Sequence, residues 1–384
     1  MVVPVLPLFA KSFGVGLAAL GLVQLVFGAT RFAFGLVGGL VVDRYGERFC
    51  TMAGLLIVAV SSYAVGFSQT FPQLVAARGF GGAGSALFIA GLQNRILRII
   101  EPAAMGRATG AFRSSFLVGI GAGPLLGGIV GRYIGLASVF HIYATGLLVA
   151  TVIAYVVMAG ERAVVEVEKK SPLEALRAAR PFFGDVRYVT ALLVTMVGWW
   201  TISGPTQIIG VVYAREQLRL TTDQIGLAIT MLAVGEIFVL WFAGRASDLL
   251  GRRAVVLPSL LLTAVGTALL GQIEGVPLAF YPLLLFIGGA IAAGGTASGG
   301  LLADAVAKQG SGTAVGVNQM AGDLGYLISP TAMGVMAESS LGYGGAYLLA
   351  AVPAAAVFFY ALRLPRKSQR PGTEESPVEP QPVG

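Results

Sequence analysis

The chain has 384 residues, 56% of them hydrophobic and only 12% charged, with a mean hydropathy of +0.80. Soluble domains carry about 25% charged residues, so this composition excludes a water-clothed globule and calls for a lipid-facing surface. The net charge of +7 does not signal nucleic acid, because the cations sit in short loops between apolar runs, and a single cysteine (Cys50) with a single histidine (His141) excludes an intramolecular disulfide and a Cys/His metal cluster.

A membrane-spanning helix needs roughly 20 apolar residues. In chain order the apolar runs predict spans near 17–42, 49–68, 73–94, 104–130, 135–158, 188–212, 225–243, 254–273, 277–303, 311–337 and 343–362. The first ten residues, MVVPVLPLFA, are apolar but are followed at once by Lys11, and ten residues cannot cross a hydrocarbon core about 30 Å thick. The segment has neither the basic start nor the cleavage site of a signal peptide. It reads as the second half of a first helix whose start lies upstream or has been lost. The 54 glycines suit helices that approach one another closely in lipid.

After the sixth span the composition changes. Residues 161–187 carry eleven charged side chains, and Ser171-Pro-Leu-Glu174 reads as a helix start, with Ser as N-cap and Pro at the first position. An amphipathic surface helix is expected to join two halves here. The tail from Arg363 is basic, then rich in Pro and Glu, and is expected to be disordered. The expected organisation is a first bundle at 1–160, a linker at 161–187, a second bundle at 188–363 and a tail at 364–384.

A short motif fixes the relation between the halves. Gly39-Leu-Val-Val-Asp43-Arg44-Tyr-Gly46-Glu-Arg48 follows the second span, and Gly244-Arg-Ala-Ser-Asp248-Leu-Leu-Gly251-Arg-Arg253 follows the eighth. Both read G-x-x-x-D-x-x-G-x-R, and 248 − 43 gives a period of 205. Gly110 to Pro124 and Gly316 to Pro330 repeat at 206. The halves are therefore parallel repeats. If the motif loops face the cytoplasm, that side receives twenty Lys and Arg and the outer side four (Lys11, Arg132, Arg215 and Arg219), a strong positive-inside bias. The C-terminus is then cytoplasmic.

These residues resemble the major facilitator superfamily. The two loop motifs carry the resemblance. Arg78-Gly-Phe-Gly81-Gly82-Ala-Gly84 in the fourth span is similar to that family's Arg–Gly motif, and Gly119-Ile-Gly-Ala-Gly123-Pro124-Leu-Leu-Gly127-Gly128 in the fifth is similar to the G-x-x-x-G-P-x-x-G-G pattern of its drug/proton antiporters. Two departures stand out: the short first helix, and Leu249 where the first loop copy has Arg44. The resemblance implies an all-α integral membrane protein, two pseudo-symmetric six-helix bundles with alternating access between them. It also implies a cytoplasmic latch made of Gly39, Asp43, Arg44, Gly46, Arg48, Gly244, Asp248, Gly251 and Arg253. An Asp at a helix C-terminus faces the negative end of the macrodipole, so Arg48 and Arg253 are expected to help neutralise it.

Arg31 lies twelve residues before Asp43, and Glu236 twelve before Asp248. At ~1.5 Å per residue both fall ~18 Å from the motif end, near the midplane. Asp323 falls at similar depth. Ionisable groups there are costly and need a cavity or a partner. In the resembled family the second span borders the eleventh and the fifth borders the eighth, which suggests the pairs Arg31–Asp323 and Arg113–Glu236. Either these are static ion pairs, or Glu236 or Asp323 gains and loses a proton during transport. Arg78 either assists proton transfer, as the family implies, or bonds neighbouring carbonyls. The Gly119–Gly128 run permits close packing, with a kink at Pro124, and its resemblance implies a bias to export. Gln24, Trp199, Trp200, Gln207, Asn318 and Gln319 are candidate substrate-cavity residues, the tryptophans alternatively being interfacial anchors. His141 is expected at the outer surface, and Asp304 with Lys308 in a cytoplasmic loop.

No phosphate-binding loop occurs, and no catalytic constellation, cofactor site or metal site is expected. The expected function is a monomeric secondary transporter of a prokaryotic-type cytoplasmic membrane, exporting small amphiphilic organic molecules in exchange for protons. The alternatives are a sugar or organic-acid facilitator or symporter, and a transporter-like receptor that does not transport.

Overall fold

The computed structural model describes residues 1–99, 105–158, 180–306 and 312–365. The expected linker helix, Lys308 and the tail beyond 365 lie outside them. Among the described residues there is no strand. The first set of helices comprises α1 (Leu6–Lys11), α2 (Leu17–Tyr45), α3 (Glu47–Gly66), α4 (Phe71–Ile99), α5 (Met105–Tyr133) and α6 (Leu136–Val157). The second comprises α7 (Val186–Thr201), α8 (Ile209–Glu216), α9 (Thr222–Leu250), α10 (Arg252–Leu270), α11 (Phe280–Val306), α12 (Gly312–Glu338) and α13 (Gly342–Ala361). A π-helical segment, Ile202–Ile208, joins α7 to α8. Pro205 within it has no N–H to give, which breaks the regular ladder. The carbonyl of Pro205 accepts from the Tyr347 hydroxyl at 3.2 Å.

Nine helical segments among the described residues are long and apolar enough to cross a membrane. The helices run past the apolar windows. The span expected at 225–243 is α9, Thr222–Leu250, 29 residues long, about 43 Å at ~1.5 Å per residue. The additions are polar: a capping box of Thr221 with Gln224 at one end, and Arg245 and Asp248 at the other. The repeated motif is consequently not the loop that was expected. Gly39–Tyr45 and Gly244–Leu250 are the last two turns of α2 and α9, and the turn itself is one residue, Gly46 (φ 83°) or Gly251 (φ 92°). That positive φ suits glycine alone, and its recurrence at a spacing of 205 makes both reversals the same turn. Asp304 is also helical, in the last turn of α11.

The sets repeat in packing as in sequence. In the first, α4 packs on α2 and α3, and α3 on α6; in the second, α11 packs on α9 and α10, and α10 on α13. The sets meet through two equivalent pairs, α5 with α9 and α2 with α12, and α1 touches α8. One buried apolar cluster crosses between them at the end opposite the motif turns. It joins Val5, Leu20, Leu74 and Phe140 to Ile209, Tyr213, Ile225 and Tyr347. At the motif end a separate cluster, including Tyr188, Val256, Leu301 and Ala361, belongs to the second set alone. There the five successive residues Arg31 to Gly35 are all exposed. Among the described residues, the two sets share a buried cluster at one end and none at the other.

Candidate functional site

The closed end is built on glycine. A methyl carbon added at Gly128 of α5 would lie 2.6 Å from the Thr222 carbonyl oxygen and 3.1 Å from the Cα of Gly226, so α5 and α9 touch backbone to backbone. The equivalent pair does the same: Gly334 of α12 meets the Leu17 carbonyl oxygen at 2.6 Å and Ala18, and Gly21 meets the backbone of Thr331. Gly128 and Gly334 are 206 apart and Gly226 and Gly21 are 205 apart, so one contact has been used twice. Gly123 and Gly127 admit the backbone of Met1, whereas Gly119 faces open space.

Polar contacts rim this closure. Arg132 pairs with Asp223 at 2.8 Å across α5 and α9. Lys11 lies 3.5 Å from Glu216, which also accepts from the Tyr343 hydroxyl at 2.6 Å. Glu338 accepts from the backbone N–H of Leu17, and so caps α2 from the other set.

Toward the open end the α2–α12 interface widens into a cavity of about 240 Å³. From α2 it is lined by Phe27, Gly28, Arg31, Phe32 and Gly35, from α4 by Ala86 and Ile89, and from α12 by Asp323, Tyr326 and Leu327. Arg31 and Asp323 thus share one cavity, and the carboxylate feels the Arg31 charge and the Gln319 amide one turn away. Deeper in, Gln24 donates through Nε2 to the Tyr326 hydroxyl, a bond from one set to the other. Trp199 meets the Tyr326 ring edge-on, centroids 5.8 Å apart. The Arg78 guanidinium lies 4.3 Å over the Phe27 ring.

The other candidates are distributed differently. Trp200 donates its indole N–H to the Ala350 carbonyl at 3.2 Å and so packs on α13. Asn318 accepts from Thr195 at 3.0 Å, within the second set. Gln207 sits in the π-helical segment. Glu236 is half-buried on α9 with no hydrogen bond or ion pair among the described residues and is not a wall of the cavity; the side chain of Arg113, its expected partner, lies outside them. His141 is not a free surface residue. It packs on Phe67 at 4.4 Å and Tyr63 at 5.8 Å between ring centroids, and its Nε2 is buried.

Among the described side chains, the motif contacts stay within one set. The side chain of Asp43 lies outside the described residues, and Arg44 is exposed. Arg48 donates to the Tyr155 carbonyl at 2.8 Å and Arg253 to the carbonyl of Leu364. Asp248 pairs instead with Arg252 at 2.5 Å, which also reaches Asp304 at 3.5 Å. The first copy uses Glu47 with Arg95 at 2.9 Å. Residue 252 matches residue 47 at the repeat, so the same position bonds to the fourth helix of each half with the signs exchanged. Arg253 is one residue too far around the turn to face Asp248.

Sequence reasoning had not singled out Phe27, Tyr326 or Glu338. The first two were findable: Tyr326 is three residues after Asp323 and Phe27 four before Arg31, so each shares a helix face with a charge.

Two matched helix sets, packed glycine to backbone at one end and lining a charged cavity toward the other, define a polytopic helical membrane protein. The family model "Major Facilitator Superfamily" matches residues 1–213 and 191–383. The chain belongs to the Major Facilitator Superfamily. Among curated relatives it is 23% identical over 355 residues to the multi-drug resistance efflux pump PmrA of Streptococcus pneumoniae serotype 4 (89% of this chain, 86% of that protein). It is 22% identical over 275 residues to the quinolone resistance protein NorA of Staphylococcus aureus (70% and 69%). The first two relatives matched are spanned over only 40% and 35% of their own lengths. Its fold is similar to that of a bacterial homologue of the human lysosomal transporter Spinster in an inward-facing, occupied conformation, with a TM-score of 0.76, 18% identity, and 94% and 92% of the two chains covered.

Proposed function

We propose that this transporter exports small amphiphilic organic molecules in exchange for protons, and that the state described here opens to the cytoplasm. The observation that carries the reading is Asp323 facing Arg31 across the α2–α12 interface. A carboxylate shared between two moving bundles has its environment changed by every rocking step, and its proton affinity must follow. Glu236, half-buried at the matched position of Arg31, is the second candidate proton site. The twenty-to-four bias of cations toward the motif end supports a cytoplasmic opening and a cytoplasmic C-terminus. The efflux direction is supported by the names of PmrA and NorA and by the glycine run of α5.

The test is transport by the full chain in proteoliposomes with an imposed pH gradient. Gradient-driven accumulation is expected in the parent and a loss of at least about tenfold in Asp323→Asn or Glu236→Gln, with gradient-free counterflow retained. Unimpaired gradient-driven transport in both variants ends the proton reading.

A further inference from the structure

Beside the cavity lies a group of polar atoms with unspent hydrogen-bonding capacity. Gln24 is only 4% exposed, and its Oε1 has no partner. Its Nε2 donates to Tyr326 Oη, which leaves the phenolic hydrogen free to donate. Arg78 has its Nε buried and unpartnered, and has no carboxylate at ion-pair distance among the described residues. Arg31 and Arg78 both act on Tyr326 electrostatically. Arg31 has the Asp323 carboxylate within electrostatic reach, whereas Arg78 has only tyrosines in that reach and rests on Phe27. Phe27 and Tyr326 are themselves cavity walls, and Phe32 adds a second aromatic ring.

A buried guanidinium without an anion is costly, and a free phenolic donor beside it points to an acceptor that would offset that cost. We propose that Arg78, Tyr326 and Gln24 form a subsite for an anionic acceptor group, a carboxylate or phenolate, on an aromatic amphiphile whose ring lies against Phe27 and Phe32. Arg78 supplies charge, Tyr326 a directional donor, and Gln24 an acceptor for a neighbouring N–H or O–H of the same molecule. A quaternary ammonium on the same ring would meet two guanidinium groups and only one carboxylate, itself engaged by Arg31 and Gln319. This assignment rests on the reading of the cavity as the substrate site and names its substrate class.

The test uses the full chain in nanodiscs and three probes on one ring: 2-naphthylacetate, 2-naphthylacetamide and 2-naphthylmethyl-trimethylammonium. Affinities are measured by calorimetry without a pH gradient. A charge-assisted hydrogen bond in a dry site favours the acetate over the ammonium by about tenfold or more, with the amide between them. Arg78→Gln levels the series, Arg78→Lys retains part of it, and Tyr326→Phe weakens the acetate alone. Should Arg78→Gln fail to fold, Tyr326→Phe decides. Equal or tighter binding of the ammonium, no binding of any probe, or an acetate preference that survives Tyr326→Phe overturns the proposal. Binding is read without a gradient, so loss of proton coupling with the preference intact counts against the antiport reading alone.

Discussion

Gly119 and Gly128 belong to one motif, and the structure separates them. An alanine methyl at Gly128 would lie 2.6 Å from the Thr222 carbonyl oxygen, 3.0 Å from the Asp223 Cα and 3.1 Å from the Gly226 Cα, whereas nothing lies within 4 Å of one at Gly119. Backbone cannot rotate away as a side chain can, so α5 and α9 must separate to admit the methyl. Overpacking of this kind costs about 1–3 kcal/mol. The helix-propensity gain of Gly→Ala is common to both conformations and cancels in their equilibrium. Gly128→Ala should therefore move the population from the closed toward the opened state of this end by roughly 5- to 150-fold. Spin labels at Gln69 and Leu341, exposed residues on opposite sets at the closed end, report the change as a second, longer distance in a Cys50→Ala background. Gly119→Ala should leave the distance distribution at the parent's. If both substitutions shift it alike, or neither does, the argument from backbone contact is wrong and the motif acts in some other way.

Two further outcomes can be checked with the same preparation. Arg132 and Asp223 are partly exposed, and such pairs are worth about 0.2–1 kcal/mol; Asp223→Asn should widen the label distance by a population change of no more than about fivefold, and added salt should mimic it. Glu47 and Arg95 are more deeply placed and join α3 to α4 within one set; Glu47→Gln leaves a guanidinium without its counter-charge and should lower the thermal midpoint by several degrees, up to about 3 kcal/mol, while leaving the label distances unchanged.

The sequence made the helices, their repeat and the motif turns legible because each rests on local physics: apolar run length, and the one φ that only glycine takes. It also placed Arg31 and Asp323 at one depth, since depth along a helix is a count of residues. Azimuth was not legible for single bulky residues. Trp199 and Trp200 are adjacent, yet one meets Tyr326 and the other the Ala350 carbonyl. Adjacent residues on a helix point about 100° apart, and no spacing rule says which of two tryptophans faces inward. Partner choice across the motif turn was hidden for a related reason. Arg252 and Arg253 are equally basic, and only the path of the chain after Gly251 decides that the first reaches Asp248.

The repeat divides the molecule's properties in two. What is duplicated is mechanical: Gly128 on Thr222 and Gly334 on Leu17 at the closed end, and Gly46 with Gly251 at the turns. What is not duplicated is charge. Residue 31 is arginine and residue 236 glutamate, and at the repeat spacing residue 47 is glutamate and residue 252 arginine. A symmetric hinge needs equal surfaces on both interfaces, since unequal contacts would open one seam before the other. A carrier that binds and releases unlike species needs unequal chemistry at the centre of those same seams. Cβ-free contacts tolerate no divergence because backbone meets backbone. Midplane charges can exchange sign without disturbing a helix, provided a cavity or a partner receives them. The α2–α12 seam, where Arg31 and Asp323 line one cavity, and the α5–α9 seam with Glu236 are thus free to perform different tasks.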